Sequence, residues 1–279
     1  MTARPTLTVL GAGSILPRVP GADGRAYGPA GYAVRFAAGG AVTLLDCGPG
    51  SVRALGAAGI ALTDVSRVVL SHFHPDHCLD LFALLFARRN PGLVGARPLE
   101  LVGPTGLRAL LAGGDAAFGR WVERRDSDRV VEVEPCAAPE PVKDVGEGEG
   151  LRLTRVATGH TPHALAWRVE RADGSAALVY SGDSGEVAAL ADLARAADLF
   201  CCECSFADEH AVPHHLTPTA AGRLAQRAGA RWLLLTHFYP GLDPDDAVRS
   251  ASAEFHGPIV AAHDGAQFSF GPEIGDPGA

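Results

Sequence analysis

Lysine, long apolar runs and clusters of basic charge are what this chain has least of. Lys143 is the only lysine among 24 basic residues, and the arginine-, alanine- and glycine-rich usage reflects a GC-rich genome more than a function. With a net charge of −8 and no basic block, the composition argues against a broad nucleic-acid-binding face, though a local patch is still allowed. No apolar run approaches the ~20 residues of a membrane span. Residues Met1 to Leu10 pass straight into a strand-like pattern with no apolar targeting segment, so the expected location is the cytoplasm. The hydrophobic share of 47% and a mean hydropathy of +0.11 supply ample core and exclude a disordered chain. Length leaves open one large α/β domain or two small ones.

Cysteine is present six times but is not arranged for metal or disulfide work. Cys201, Cys202 and Cys204 crowd into one apolar stretch with no second pair at zinc-ribbon spacing. They read as small hydrophobes in a buried strand. A dinucleotide fingerprint is also missing, because Gly11-Ala-Gly-Ser14 continues to Leu16 and no helical pattern follows.

What the chain does have is Ser71-His-Phe-His-Pro-Asp-His77. His72, His74, Asp76 and His77 place four metal-capable groups in six positions, just after the strand-like Val68-Val-Leu70. Imidazole suits zinc, iron and related ions, and a carboxylate completes a mixed donor set. Three histidines interleaved with a carboxylate are rarely there for packing.

Period-2 runs predict strands over 7–10, 31–36, 41–46, 99–102, 151–156, 164–170, 177–180, 199–204 and 232–235. Helical patterns cover 51–58, 79–88, 105–111, 185–196 and 219–228, the second abutting the histidine run. Residues 137–150, rich in Pro, Glu and Gly, form a loop or soft boundary between two similar halves, and 275–279 read as a frayed tail. Strands with intermittent helices in both halves suggest two packed sheets with helices outside. Three further candidate ligands, His160, Asp183 and His237, each follow a predicted strand.

These marks, together with Leu45-Asp-Cys-Gly48, Ser181-Gly-Asp183, His215-Leu-Thr217 and Leu235-Thr-His237, resemble the metallo-β-lactamase-fold hydrolase superfamily over essentially the whole chain. The likeness is to the branch holding ribonuclease Z and cyclic phosphodiesterases. It implies an α/β fold, a four-layer αββα sandwich forming a single domain over 1–279, with the site at the edge of the sheets. It further implies two divalent metal ions, zinc first with manganese or iron as alternatives. His72, His74 and His160 would hold one ion, Asp76, His77 and His237 the other, and Asp183 would bridge. Asp46 would support the site. His215, assisted by Glu203, would protonate the leaving group, and Asp76 would also orient the attacking hydroxide. Read from its residues alone, the stretch 214–219 is instead a helix start, with Thr217 or Thr219 as N-cap and Pro218 in the first turn. His163 stands where the related sequences commonly have proline, and either faces substrate or lies in an exposed loop. His210, His214, His256 and His263 lack a ligand context, although His263, beside Asp264-Gly265 near the final strand, has a route toward the cleft.

Two divalent ions, two aspartates and a hydroxide leave a positive site suited to an anionic substrate, where the ions can lower the pKa of water and stabilise oxyanions. Ribonuclease Z relatives carry a basic, glycine-rich arm between the residues matching His160 and Asp183; here only 23 positions separate them, filled by two strands and the turn Ala172-Asp-Gly-Ser175. A small anionic substrate is therefore expected, cyclic nucleotides or related phosphodiesters leading. Behind it stand armless tRNA 3′ processing, a lactonase or thioesterase, and last a non-catalytic metal scaffold. A homodimer is allowed, and no membrane contact is expected.

Overall fold

The computed structural model describes residues 4–16, 18, 24–93, 95–143, 145 and 150–271; the predicted frayed tail lies outside them. Two seven-stranded sheets carry the fold. The first comprises β1 (Thr6–Gly11), β2 (Gly31–Arg35), β3 (Val42–Cys47), β4 (Val65–Val69), β5 (Glu100–Pro104), β6 (Arg129–Val133) and the late β14 (Gln267–Ser269), ordered β14-β1-β2-β3-β4-β5-β6. The second runs β13 (Ile259–Ala261), β12 (Leu233–Thr236), β11 (Leu199–Glu203), β10 (Ala177–Tyr180), β9 (Leu165–Arg171), β8 (Leu151–Ala157) and β7 (Glu140–Pro141). Each sheet is half antiparallel and half parallel. Every parallel step requires a crossover, and helices supply it.

Alternation within the strands separates the layers. In β2 to β5, Val34, Leu45, Val69 and Val102 belong to the core shared with the second sheet, while Ala33, Leu44, Val68 and Leu101 face the opposite way. That outer face is covered by α1 (Ser51–Ala57), α3 (Asp80–Arg88) and α4 (Leu107–Phe118), whose Leu55, Leu81, Leu84, Leu107 and Leu111 fill it. On the second sheet α5 (Ala188–Leu193), α6 (Pro218–Ala228) and α7 (Pro244–Ser252) do the same. The result is helix–sheet–sheet–helix, the four layers expected. Among the described residues no helix is long and apolar enough to cross a membrane.

The sequence-derived elements need several corrections. The stretch 137–150 contains the short strand β7, which pairs with β8. The helix expected over 185–196 contracts to six residues, and that over 105–111 extends to Phe118. Strands β6, β13 and β14 and helix α7 were not anticipated. β13 and β14 span three residues each, too few to show a period, and β6 is only partly buried, whereas α7 has a start signal in Asp243-Pro244 that apolar runs alone do not reveal.

The sheets are tied together where the histidine run begins. Trp167 of β9, fully buried, donates its ring N–H to the carbonyl of Leu70 at 3.0 Å, and the Leu165 amide donates to the Ser71 carbonyl at 2.9 Å. Gly48, just after β3, allows the chain carrying Asp76 to pack directly on it. A Cβ there would lie 1.9 Å from the Asp76 carbonyl oxygen and 2.7 Å from that of Ala30. Gly48→Ala should lower stability by about 2 to 3 kcal/mol in denaturant unfolding, because backbone must move to relieve the overlap. Gly113→Ala, at an exposed helical position with open space around it, should raise stability by about 0.5 to 1 kcal/mol. Equal effects of the two would contradict the packing described.

Candidate metal centre

The carboxyl ends of β3, β4, β10, β11 and β12 share one edge of the double sheet. β8, antiparallel to β9, which is antiparallel to β10, also delivers its end there. Asp46 lies in β3, and β4 leads through Leu70 and Ser71 to His72 and His74. Ala157 ends β8 three residues before His160, Tyr180 ends β10 three before Asp183, Glu203 closes β11, and His237 follows β12 directly. Side chains projecting beyond strand ends escape the sheet's hydrogen-bond ladder and are free to converge.

One local detail departs from expectation. Helix does not begin at Leu79 but with a short α2 (Pro75–Cys78), so Asp76 and His77 ride on the helical turn itself. Pro75 at its first position explains the early start, since proline's fixed φ suits a helix's first residue and its missing N–H is not needed there.

The seven candidate ligands meet in two groups around Asp183. His72, His74, His160 and Asp183 form one set of metal-capable atoms, and Asp76, His77 and His237 form another. Asp183 turns a different oxygen to each. Its Oδ2 lies 3.8 Å from His72 Nε2 and 3.6 Å from His160 Nε2. Its Oδ1 lies 3.3 Å from His77 Nε2 and 3.5 Å from His237 Nε2. Asp76 Oδ2 is 3.7 Å from His237 Nε2 and 4.0 Å from His77 Nε2.

Surrounding groups hold the ring nitrogens that face away. Asp46 Oδ2 is 2.7 Å from His77 Nδ1 and accepts from the Ser71 and Tyr180 hydroxyls at the same distance, while Oδ1 takes the Ser71 amide. Ser71 Oγ in turn lies 3.0 Å from His72 Nδ1, and the His214 carbonyl 3.0 Å from His160 Nδ1. Such outer contacts fix ring orientation and leave Nε2 pointing inward. The inward His72 Nε2 and Asp183 Oδ1 are buried without any hydrogen-bond partner. Leaving such atoms unpaired costs about 1 to 3 kcal/mol each, so a centre with one orphan facing each group fits a cation in each. An imidazole and carboxylate donor set of this kind suits divalent zinc, manganese or iron.

Charge distribution agrees. Burial opposes ionisation of Asp183, but His237, His77 and His72 outweigh it and hold the carboxyl well below its ordinary range. Burial likewise opposes charge on His77, yet Asp183 and Asp46 raise its pKa well above normal. His72 is pushed well down by burial and by its neighbour His77. Asp76 stays low despite burial because His237 and His77 face it.

Beside the second group, His215 Nδ1 stands 3.1 Å from Glu203 Oε2 and 4.0 Å from Asp183 Oδ2. Burial lowers the affinity of His215 for a proton, but Glu203 more than restores it. Thr217 caps α6 by accepting from the Ala220 amide, with Pro218 at the first turn, so the cap and the histidine share one loop. His163 is exposed in the turn after His160, and His263 is half-buried with its Nδ1 donating to the Asp264 carbonyl at 3.1 Å. The cysteines are free; Cys201, Cys202 and Cys204 are buried, with thiol pKa values driven up by burial. Sequence reasoning missed Ser71, Tyr180, Ser205 and the His214 carbonyl. Ser71 and Tyr180 directly neighbour the motifs, the one signal that could have marked them.

A Beta-lactamase superfamily domain model matches residues 43–238. An uncharacterized protein of Mycobacterium tuberculosis is 36% identical over 198 residues, covering 70% of each chain. A protein named Ribonuclease Z from Mycobacterium sp. strain KMS is 33% identical over 270 residues, covering 88% of this chain and 90% of its own. In structure, the metallo-beta-lactamase fold protein YhfI from Bacillus subtilis superposes with a TM-score of 0.77 at 24% identity, covering 95% of this chain and 99% of YhfI. With its family match spanning both sheets and the histidine–aspartate centre at their edge, this chain belongs to the beta-lactamase superfamily and is a metal-dependent hydrolase of the metallo-β-lactamase fold.

Proposed function

We propose that the protein is a dinuclear phosphodiesterase acting on small phosphodiesters, cyclic nucleotides foremost. The observation that carries this reading is the Asp183 carboxylate, with one oxygen toward His72 and His160 and the other toward His77 and His237. His72, His74, His160 and Asp183 would hold one ion, and Asp76, His77, His237 and Asp183 the other, with zinc suited to both. The bound pair would activate water and neutralise phosphoryl oxygens. The protein's own groups then divide the work. Asp46 and Ser71 keep His77 and His72 aimed inward, Asp76 orients the nucleophile, and His215, held by Glu203, delivers a proton to the departing oxygen.

Substrate size is read from the chain between His160 and Asp183. It holds the short turn with His163, then β9, β10 and a turn at 172–176 closed by the Ser175 amide on Asp173 Oδ1 at 2.9 Å. No arm extends there to grip an RNA, and net charge is −8. A second reading, tRNA 3′ processing, is favoured by the 33% identity to proteins named Ribonuclease Z over most of both chains.

Protein loaded with Zn²⁺ or Mn²⁺ should hydrolyse bis(p-nitrophenyl) phosphate and a cyclic nucleotide, and Asp76→Ala should abolish turnover. Metal analysis should return two ions per chain. Trimming of precursor tRNA with inert cyclic nucleotides would favour the second reading, and lactone or thioester hydrolysis with inert phosphodiesters would sink both. His215→Ala should cut kcat by about 10²- to 10⁴-fold on an alkoxide-leaving diester. On the p-nitrophenyl ester the loss should be much smaller, because p-nitrophenolate leaves without a proton. Equal losses on both esters would remove His215 as the proton donor.

A further inference from the structure

We propose that Ser205 is a positioning residue that fixes the tautomer of His237 and couples this ring to the Glu203–His215 pair. The inference rests on the reading of His237 as a ligand. Ser205 is fully buried two residues beyond the end of β11. Its hydroxyl donates to Glu203 Oε2 in a short hydrogen bond, and lies 3.0 Å from His237 Nδ1 and 3.3 Å from His215 Nδ1.

A hydroxyl has one proton and two lone pairs. With the proton given to Glu203, Ser205 Oγ can only accept from the two imidazoles. Nδ1 of His237 must then carry hydrogen, which leaves Nε2, facing Asp76, His77 and Asp183, as the nitrogen available to a cation. Glu203 cannot turn to release Ser205, because its other oxygen accepts the Ser184 amide and its own amide is held by Ser181 Oγ at 2.9 Å. The segment that carries Asp183 therefore anchors Glu203, Glu203 orients Ser205, and Ser205 sets the tautomer of His237. His237 itself adopts a left-handed backbone (φ 61), a conformation a non-glycine residue holds only under local constraint. One hydroxyl thus joins a candidate ligand to the groups that would move the proton.

The tautomer is read by long-range ¹H–¹⁵N NMR of the metal-free protein, with the pH raised until the His237 ring shows a single protonated nitrogen and with His237 assigned from its Gln variant. Wild type should show His237 as Nδ1–H. Ser205→Ala should mix the two tautomers and weaken one of two zinc ions by about 10- to 100-fold in chelator competition. Ser205→Thr, which keeps the hydroxyl, should restore both. An Nε2–H tautomer in wild type, or wild-type zinc affinity in a folded Ser205→Ala, would overturn the proposal. Should the alanine variant fail to fold, the wild-type spectrum alone decides. Wild-type protein that binds no zinc would defeat the ligand reading, while the tautomer result would still judge Ser205.

Discussion

Asp183 takes a carboxylate into the protein interior at the junction of the two sheets, with one oxygen facing each group of histidines. A carboxylate in that position is costly unless its oxygens are met by a protonated imidazole such as His77 or by a bound cation. His72, His77, His160 and His237 surround it, drawn from one strand end in the first half of the chain and two in the second. Neither sheet alone could satisfy Asp183, so the packing of one sheet on the other and the assembly of the centre are a single event. Trp167, hydrogen-bonded across the sheets to Leu70, stands at that junction and links the core to the loop that carries His72.

Holding imidazoles apart with their lone pairs inward demands a second ring of contacts. Asp46 serves both Ser71 and His77, and is itself held by Tyr180 from the opposite sheet. Backbone strain gathers at the same place. Asp46 and His237 have left-handed φ angles of 55 and 61, and Gly182 has 55 where a Cβ would crowd that of Ser71 at 2.6 Å. Such conformations cost energy and persist where surrounding bonds over-determine them. Here the bonds that do so also aim the donors, which connects the rigidity of the fold to the chemistry it supports.

Much of this was legible in the order of residues. Apolar runs such as 31–36 and 41–46, joined by Gly39-Gly40, mark a hairpin, and the spacing of His72, His74, Asp76 and His77 marks a metal site without any fold. Elements without a strong period escaped notice: β14 buries only Phe268 of its three residues, and β13 is half-buried throughout. The pairing of β14 with β1 joins residues more than 250 positions apart, a contact no local pattern encodes.

The amino-acid sequence by itself determined which donors exist and that each follows a strand, because both are local properties of composition and period. Only the tertiary structure decided that Asp183 divides its oxygens between two groups, that α2 carries Asp76 and His77, and that Ser205 touches Glu203, His215 and His237 at once. Those facts depend on distances between chain segments up to 165 positions apart, as from His72 to His237. Such distances are set by how two sheets pack, and the physics that sets them is the burial of both inner faces together with the charge that must be met between them.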